Sequence, residues 1–239
     1  MATYADFAPF YDQMMGDRSG DVDRIAAYLD RYHPDAASLL ELGCGTGALL
    51  AGLAGRLSVA GVDASPQMLA VAAAKVPAAS LTRDDITRLA LDRTFDVVIC
   101  VFDTLNHLAE FAGWRELFGR VHEHLAPGGL FVFDVNTIGR LRRLRLGPAF
   151  AEDFGEHTMI MDVLPGGGEL SIWTVRIFER VSGDQFRLHA ERITELGVPL
   201  GEIREALEPG FELLELAESA GGPASDDSGR AFFVWRRRD

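Results

Sequence analysis

Cysteine is scarce: the 239 residues contain two, Cys44 and Cys100. Two thiols without neighbours at metal-ligand spacing argue against a disulfide framework and a cysteine metal centre, and suit a reducing, cytoplasmic setting. No apolar run approaches the ~20 residues of a membrane span. The opening stretch, MATYADFAPFYD, lacks the basic region and apolar core of a secretory signal. Positive charge is short as well, with 23 Lys and Arg against 36 Asp and Glu, a net charge of −13. Nucleic-acid binding rests on neutralising phosphates with Lys and Arg, so a polyanionic substrate is disfavoured. Basic residues concentrate only in Arg140–Arg145 (RLRRLR) and Arg236–Arg238. Each run reads as a solvated face or tail, with a local patch for an anionic small substrate as the alternative. His122 and His124 lie two apart on one helix and point different ways. No His, Cys and carboxylate cluster suggests a metal.

What the chain does have is SLLELGCGTGALLAGLA, residues 38–54. It reads as a short apolar strand, then glycines at 43, 45 and 47, then an Ala/Leu helix. Glycine lets the backbone turn sharply and lets a ligand sit against bare peptide groups. The helix that follows opens with free N–H groups. About 20 residues on, Asp63 ends the next strand in SVAGVDAS, where a ribose-binding carboxylate belongs in a nucleotide-binding βαβ unit. The pattern predicts an adenosine-containing cofactor.

The rest of the chain alternates strand and helix to about residue 136 and then changes character. Ile25, Ala26 and Leu29 keep helical spacing after Asp21, which reads as the cap. Strands are expected near 38–43, 57–62, 79–82, 95–101 and 129–135. A helix over 112–125 buries Leu117, Val121 and Leu125 and stops at Pro127-Gly128-Gly129. After residue 150, HTMIMDVLP, ELSIWTVRIFERV and QFRLHAERITEL form three β-rich runs separated by Gly and Ser-Gly-Asp turns, the pattern of an antiparallel meander. PLGEIREAL is helical, and FELLELAE and GRAFFVWRR are strands. At 48% hydrophobic residues the chain can bury a large core.

The glycine run E-L-G-C-G-T-G differs from the dinucleotide fingerprint G-x-G-x-x-G. With Glu41 before it, it resembles motif I of the class I S-adenosylmethionine-dependent methyltransferases. VDASPQML resembles their second motif, LTRDDITRL their third, FDVVICVFDTLNHL their fourth and HLAPGGLFVFDVN their fifth. The resemblance implies a Rossmann-like α/β fold: a mostly parallel seven-stranded sheet, helices on both faces, and an antiparallel β insertion. It implies one domain over 1–239, with a helical cap to residue 36, a cofactor-binding core over 37–145, a substrate-covering meander over 150–196, and a last helix and closing hairpin over 197–239. The cofactor would be S-adenosyl-L-methionine. Its binding set would comprise Tyr11, Glu41, Gly43, Cys44, Gly45, Asp63, Ala64, Met68, Asp85, Ile86 and Val101. Gly43, Cys44 and Gly45 would present backbone to its methionine part, Asp63 would take both ribose hydroxyls, and Ala64 and Met68 would flank adenine. Asp85 and Ile86 would address the polar edge of adenine, and the Val101 carbonyl the cofactor amino group.

The loop VFDTLNHL resembles that of glycine and amino-sugar N-methyltransferases, with Asp103 and His107 at its two polar positions. His107 has an intrinsic pKa suited to taking a proton near neutrality, and Asp103 is paired with it as the catalytic set. The differing residues around them leave a glycine substrate unsupported. The aromatic-rich N-terminus resembles the same group and makes Tyr4 a substrate candidate. On the meander, Trp173, His189 and Arg192 are further candidates. Strand alternation puts Ala190 and Arg192 on one face, His189 and Glu191 on the other, and leaves open which face is inward. The expected function is methyl transfer to an amine or hydroxyl of a small metabolite, by a monomer or homodimer. A nicotinamide-dependent oxidoreductase and a non-catalytic cofactor-binding subunit are the competing readings.

Overall fold

The computed structural model describes Tyr4 and residues 6–239. Two helices, α1 (Tyr11–Met15) and α2 (Ser19–Tyr32), precede the first strand. An alternating run follows: β1 (Ser38–Leu42), α3 (Ala48–Leu53), β2 (Ser58–Asp63), α4 (Pro66–Lys75), β3 (Ser80–Arg83) and β4 (Phe95–Cys100). A 3-10 turn (Thr104–His107) leads to α5 (Phe111–His124) and β5 (Leu125–Asn136). The inserted part comprises α6 (Ile138–Leu146), β6 (Phe150–Phe154), β7 (His157–Gly167), β8 (Leu170–Ser182) and β9 (Gln185–Leu196). The chain closes with α7 (Leu200–Leu207), β10 (Phe211–Glu218) and β11 (Arg230–Arg237).

Seven strands form one sheet in the order β10-β11-β5-β4-β1-β2-β3. β1 to β5 are mutually parallel, and β11 joins β5 antiparallel with β10 outside it. A parallel sheet needs both faces covered, so its strands read as near-continuous apolar runs. Alternate residues feed two cores. Leu40, Val98, Phe131 and Phe133 pack with Trp114 and Leu117 of α5 and Ile203 of α7. Leu39, Val97, Ile99 and Val132 pack with Ile25 and Leu29 of α2 and Leu49, Leu50 and Leu53 of α3.

The inserted strands form a separate antiparallel sheet, β6-β7-β8-β9. Its inward face buries Met159, Trp173, Val175, Ile177 and Ile193 against Phe7, Phe10 and Leu141 of α6. Three features depart from the sequence expectation. The basic run at 140–145 is helical, and β6 adds a fourth strand to the meander. Leu125 begins β5 instead of ending α5: it pairs with Phe95, and the Pro-Gly-Gly segment is taken up as a bulge before Leu130 meets Val97. No helix among the described residues is long and apolar enough to cross a membrane.

Candidate active site

A cavity of about 330 Å³ opens where the carboxyl ends of β1, β2 and β4 meet the N-terminal segment and the meander. This is where an open α/β sheet with a reversal of strand order binds ligands. Its floor is the glycine loop. Gly43, Gly45 and Gly47 have φ of 72°, 51° and 73°, the left-handed region that side chains disfavour. A Cβ on Gly43 would strike the Thr104 side chain at 2.6 Å, whereas one on Gly45 would meet nothing within 4 Å. The first glycine is therefore a packing requirement. The second leaves backbone bare toward the cavity. The Gly43 and Cys44 N–H groups donate to the Val62 carbonyl at 2.8 and 3.0 Å and fix the loop to β2.

Asp63 ends β2 beside that loop. Its two oxygens accept the Gly45 N–H at 2.9 Å and the Ser65 N–H at 2.8 Å. Burial raises its pKa, opposed by the Ser65 and Gly45 bonds. Each oxygen keeps a further lone pair, so two ligand hydroxyls can still be received. Ser65 caps α4 by accepting the Met68 N–H, with Pro66 at the first helical position. This places Ala64 and Met68 on the cavity wall. Glu41 is 3% exposed, and its Oε2 has no hydrogen-bond partner. Burial, and then the nearby Asp63, hold its carboxyl well above the usual range. A buried polar atom left unpaired is costly, so this oxygen needs a donor that a cationic ligand can supply. Bare backbone at Gly45, spare acceptors on Asp63 and an orphaned acceptor on Glu41 together fit S-adenosylmethionine.

The same orphaned group has a consequence for stability. Above its ordinary value of 4.5 the unfolded chain ionises Glu41 while the folded chain keeps the proton, so wild type loses stability as pH rises. Ligand-free Glu41→Gln is expected to melt with wild type at pH 4 and above it at pH 7–8. Each unit by which the fold raises this pKa costs about 1.4 kcal/mol at high pH, and each kcal/mol corresponds to about 2–4 °C for a chain of this size. Superimposable melting profiles from pH 4 to 8 would show that the carboxyl is not under this strain.

Tyr11 also lines the cavity. Its neighbour Asp12 ties α1 over the loop, accepting from Thr46 Oγ1 and Lys75 Nζ at 2.6 Å each. Cys44 lines the cavity, but its sulfur faces Gly61 of β2, so its contribution to a ligand is backbone. Three of the residues expected to bind the cofactor lie outside the cavity. Asp85 and Ile86 do not line the cavity: the Asp85 carboxylate closes a turn on the N–H and hydroxyl of Thr87 at 2.9 and 2.8 Å, and the Ile86 side chain sits in the core. Val101 also lies outside it. Its carbonyl accepts Thr104 Oγ1 at 2.7 Å, and Phe102 lines the wall instead.

The wall that carries Asp103 and His107 is built by the turn after β4. Phe102 and Asp103 have φ of 58° and 54°, an uncommon conformation for residues with side chains. The Asp134 carboxylate of β5 holds it by accepting both N–H groups, at 3.2 and 2.7 Å. Asp134 is itself paired with Arg230 of β11 at 3.0 Å, and Arg230 also bonds Asp103. Asn106 locks the turn by donating to the carbonyls of Asn136 and Leu196. His107 then lines the cavity with Nε2 at 3.8 Å from Asp103 Oδ2 and 3.1 Å from the Tyr4 hydroxyl. Burial lowers its pKa, and Asp103 partly restores it. The backbone of Thr194 lies close enough to support the charged form but makes no hydrogen bond of ordinary geometry with Nδ1.

The meander supplies the roof through the face carrying Trp173, Val175, Ile193 and Glu195. Odd-numbered residues of β9 therefore point inward. Arg192 is on the outer face and exposed. His189 is on the inward face but beyond the cavity, bonded to Glu179 at 2.9 Å and packed on Phe10. Neither lines the site. Sequence reasoning missed Phe102, Asn136, Arg140, Glu195 and Arg230, all of which line it. Asn136 donates to Glu195 at 2.8 Å. Among the described residues no group of His, Cys, Asp and Glu could hold a metal ion.

A methyltransferase domain family matches residues 39–129, the span from β1 into the start of β5. A methyltransferase-family protein of Geobacillus sp. (strain WCH70) is 30% identical over 98% of this chain and 100% of its own. The dTDP-3-amino-3,6-dideoxy-alpha-D-glucopyranose N,N-dimethyltransferase of Streptomyces fradiae is 35% identical over 54% of this chain and 52% of its own. The sugar N-methyltransferase structure from Streptoalloteichus sp. superposes with a TM-score of 0.84 at 25% identity, covering 98% of this chain and 93% of that one. The S-adenosylmethionine-dependent methyltransferase structure from Clostridium acetobutylicum shares the fold, with a TM-score of 0.88 at 23% identity over 99% of both chains. These matches displace the nicotinamide reading, in agreement with the glycine spacing. Loop, carboxylates, fold and full-length relative agree that the chain belongs to the S-adenosylmethionine-dependent methyltransferases.

Proposed function

We propose that this methyltransferase acts on an amine or hydroxyl of a small metabolite, with His107, Asp103 and Tyr4 handling the proton released. The bound cofactor supplies an activated methyl group on a sulfonium. Little covalent chemistry then falls to the protein: it orients the acceptor, excludes water and removes a proton. Positioning of this kind is worth effective molarities of roughly 10⁵–10⁸ M.

The observation that carries the reading is that His107 and Asp103, 3.8 Å apart, line the same cavity as Gly45, Glu41 and Asp63. The space above them is open, which favours a catalytic site over a binding subunit. Burial holds His107 below its ordinary value, so it is a neutral base at pH 7. Burial keeps the Tyr4 hydroxyl protonated, so Tyr4 donates to His107 Nε2 and its oxygen can receive the acceptor's proton as it does so. Asp103 then stabilises the imidazolium. The named amino-sugar relatives favour an amine, and the net charge of −13 suits an acceptor that is cationic at the amine.

The test is a screen of amines and hydroxylated metabolites for S-adenosylhomocysteine release, followed by His107→Ala on the acceptor found. A positioned base is worth about 10²–10⁴-fold, so turnover is expected to fall by at least about 100-fold, while S-adenosylhomocysteine binding, measured by calorimetry, is expected to stay within about 3-fold of wild type. Unchanged turnover would remove His107 from the chemistry.

A further inference from the structure

The basic run RLRRLR divides once folded. Arg142 pairs with Glu169, Arg145 bonds Ser171 and the Gly168 and Glu169 carbonyls, and Arg143 reaches the Ser228 carbonyl. These three tie α6 to neighbouring segments. Arg140, one turn earlier, faces the other way and lines the cavity. Its guanidinium makes no hydrogen bond or ion pair among the described residues, and its Nε is buried without a partner. Another buried nitrogen among the residues lining the cavity also lacks a partner, Trp173 Nε1. Both are donors, whereas His107 Nδ1 has the Thr194 backbone beside it. Apart from Glu41 Oε2 in the floor, no buried side-chain oxygen among the described residues lacks a partner.

Two orphaned donors on residues that line the cavity, Arg140 and Trp173, set a requirement on what enters it. A buried donor without an acceptor costs about 1–3 kcal/mol, and the ligand must bring acceptors. Arg230 is committed to Asp103 and Asp134. Glu195 accepts from Asn136, and burial holds its carboxyl well above the usual range. Arg140 is left with no carboxylate bonded to it among the described residues, and its guanidinium lines the cavity.

Building on the proposed function, we infer that the methyl acceptor carries an oxyanion, a carboxylate or a phosphate, that binds Arg140 and Trp173 at the α6 side of the cavity while its nucleophile faces Asp103 and His107. A guanidinium suits both groups, through paired N–H···O bonds. Such an acceptor would be zwitterionic or a phosphorylated alcohol or amine, and held at both ends.

The experiment uses the full chain saturated with S-adenosylhomocysteine. Acetate and inorganic phosphate, each at about 50 mM, are compared with chloride at matched ionic strength in thermal melts. The variants are Arg140→Gln, Arg140→Lys and Trp173→Phe. At least one oxyanion is expected to raise wild-type Tm by about 2 °C or more over chloride. Arg140→Gln should abolish the shift, Arg140→Lys keep part of it, and Trp173→Phe reduce it. A response to acetate alone identifies a carboxylate-bearing acceptor, to phosphate alone a phosphorylated one, and to both a general oxyanion pocket. No response in wild type, or a shift that Arg140→Gln retains, overturns the inference. Calorimetry with S-adenosylhomocysteine on the same samples separates failures: normal binding without an anion response removes only the role of Arg140, whereas absent binding in wild type removes the underlying reading. Binding by Arg140→Gln also shows that the variant is folded.

Discussion

Asp63→Ala is expected to bind S-adenosylhomocysteine at least about 100-fold more weakly than wild type. Hydrogen bonds to a charged acceptor contribute about 1.5–3 kcal/mol each, and a ribose diol donates two. Their loss is about 3–6 kcal/mol, against 1.4 kcal/mol for each factor of ten. The substitution should leave the ligand-free fold nearly intact. Asp63 holds the Gly45 N–H, but the loop has a separate anchor in the Gly43 and Cys44 N–H bonds to Val62. Burial disfavours the Asp63 charge, so removing it relieves a cost in the empty protein. Calorimetry and a melt on the same sample distinguish the two effects: lost affinity with Tm within about 3 °C of wild type. Asp63→Asn, which keeps one acceptor oxygen, should fall between. Affinity within about 3-fold of wild type in Asp63→Ala would end the ribose assignment.

The parts of the site that were legible in the sequence are those whose geometry is local. A strand, a glycine turn and a helix over residues 38–54 constrain one another through adjacent residues, so Gly43, Gly45 and Glu41 fall where their spacing puts them. Asp63 follows because β2 must run parallel to β1, which fixes its end beside the loop. The turn after β4 gave Asp103 and His107 for the same reason. What was hidden depends on distant partners. Arg140 and Arg142 are indistinguishable in RLRRLR, and only the placement of α6 against the meander turns one inward. Arg230 reads as a strand residue until β11 is set beside β5, where Asn136 is its register partner. The facing of β9 could not be chosen from alternation alone, because both parities carry charged residues. Asp85 looked like a ligand-binding carboxylate but closes a local turn on Thr87, a use that short acidic side chains often have. Tyr4 and His107 are 103 positions apart, a separation no spacing rule spans.

Arg230→Met is expected to produce the largest loss of stability of any single substitution proposed for this protein. Asp134 is 1% exposed and holds the left-handed Phe102–Asp103 backbone through both N–H groups. Removing the guanidinium strands its charge, together with that of Asp103. Breaking a buried pair from one side costs about 3–5 kcal/mol, and at about 2–4 °C per kcal/mol the expected fall in Tm is about 6–20 °C. The pH dependence follows from the carboxylate. Burial already raises the pKa of Asp134, and losing Arg230 raises it further. The folded variant keeps a proton that the unfolded chain releases above about pH 4. Its deficit against wild type is therefore greatest near pH 8 and shrinks as pH falls toward 5. Arg230→Met combined with Asp134→Asn removes the stranded charge while leaving one oxygen to accept an N–H, and should recover part of the loss. A Tm within about 2 °C of wild type in Arg230→Met at pH 8 would mean that the turn is held by its backbone contacts alone. Recovery with Asp134→Asn but not with Asp103→Asn would locate the stranded charge in the core beneath the turn, since Asp103 faces the cavity and can be solvated there.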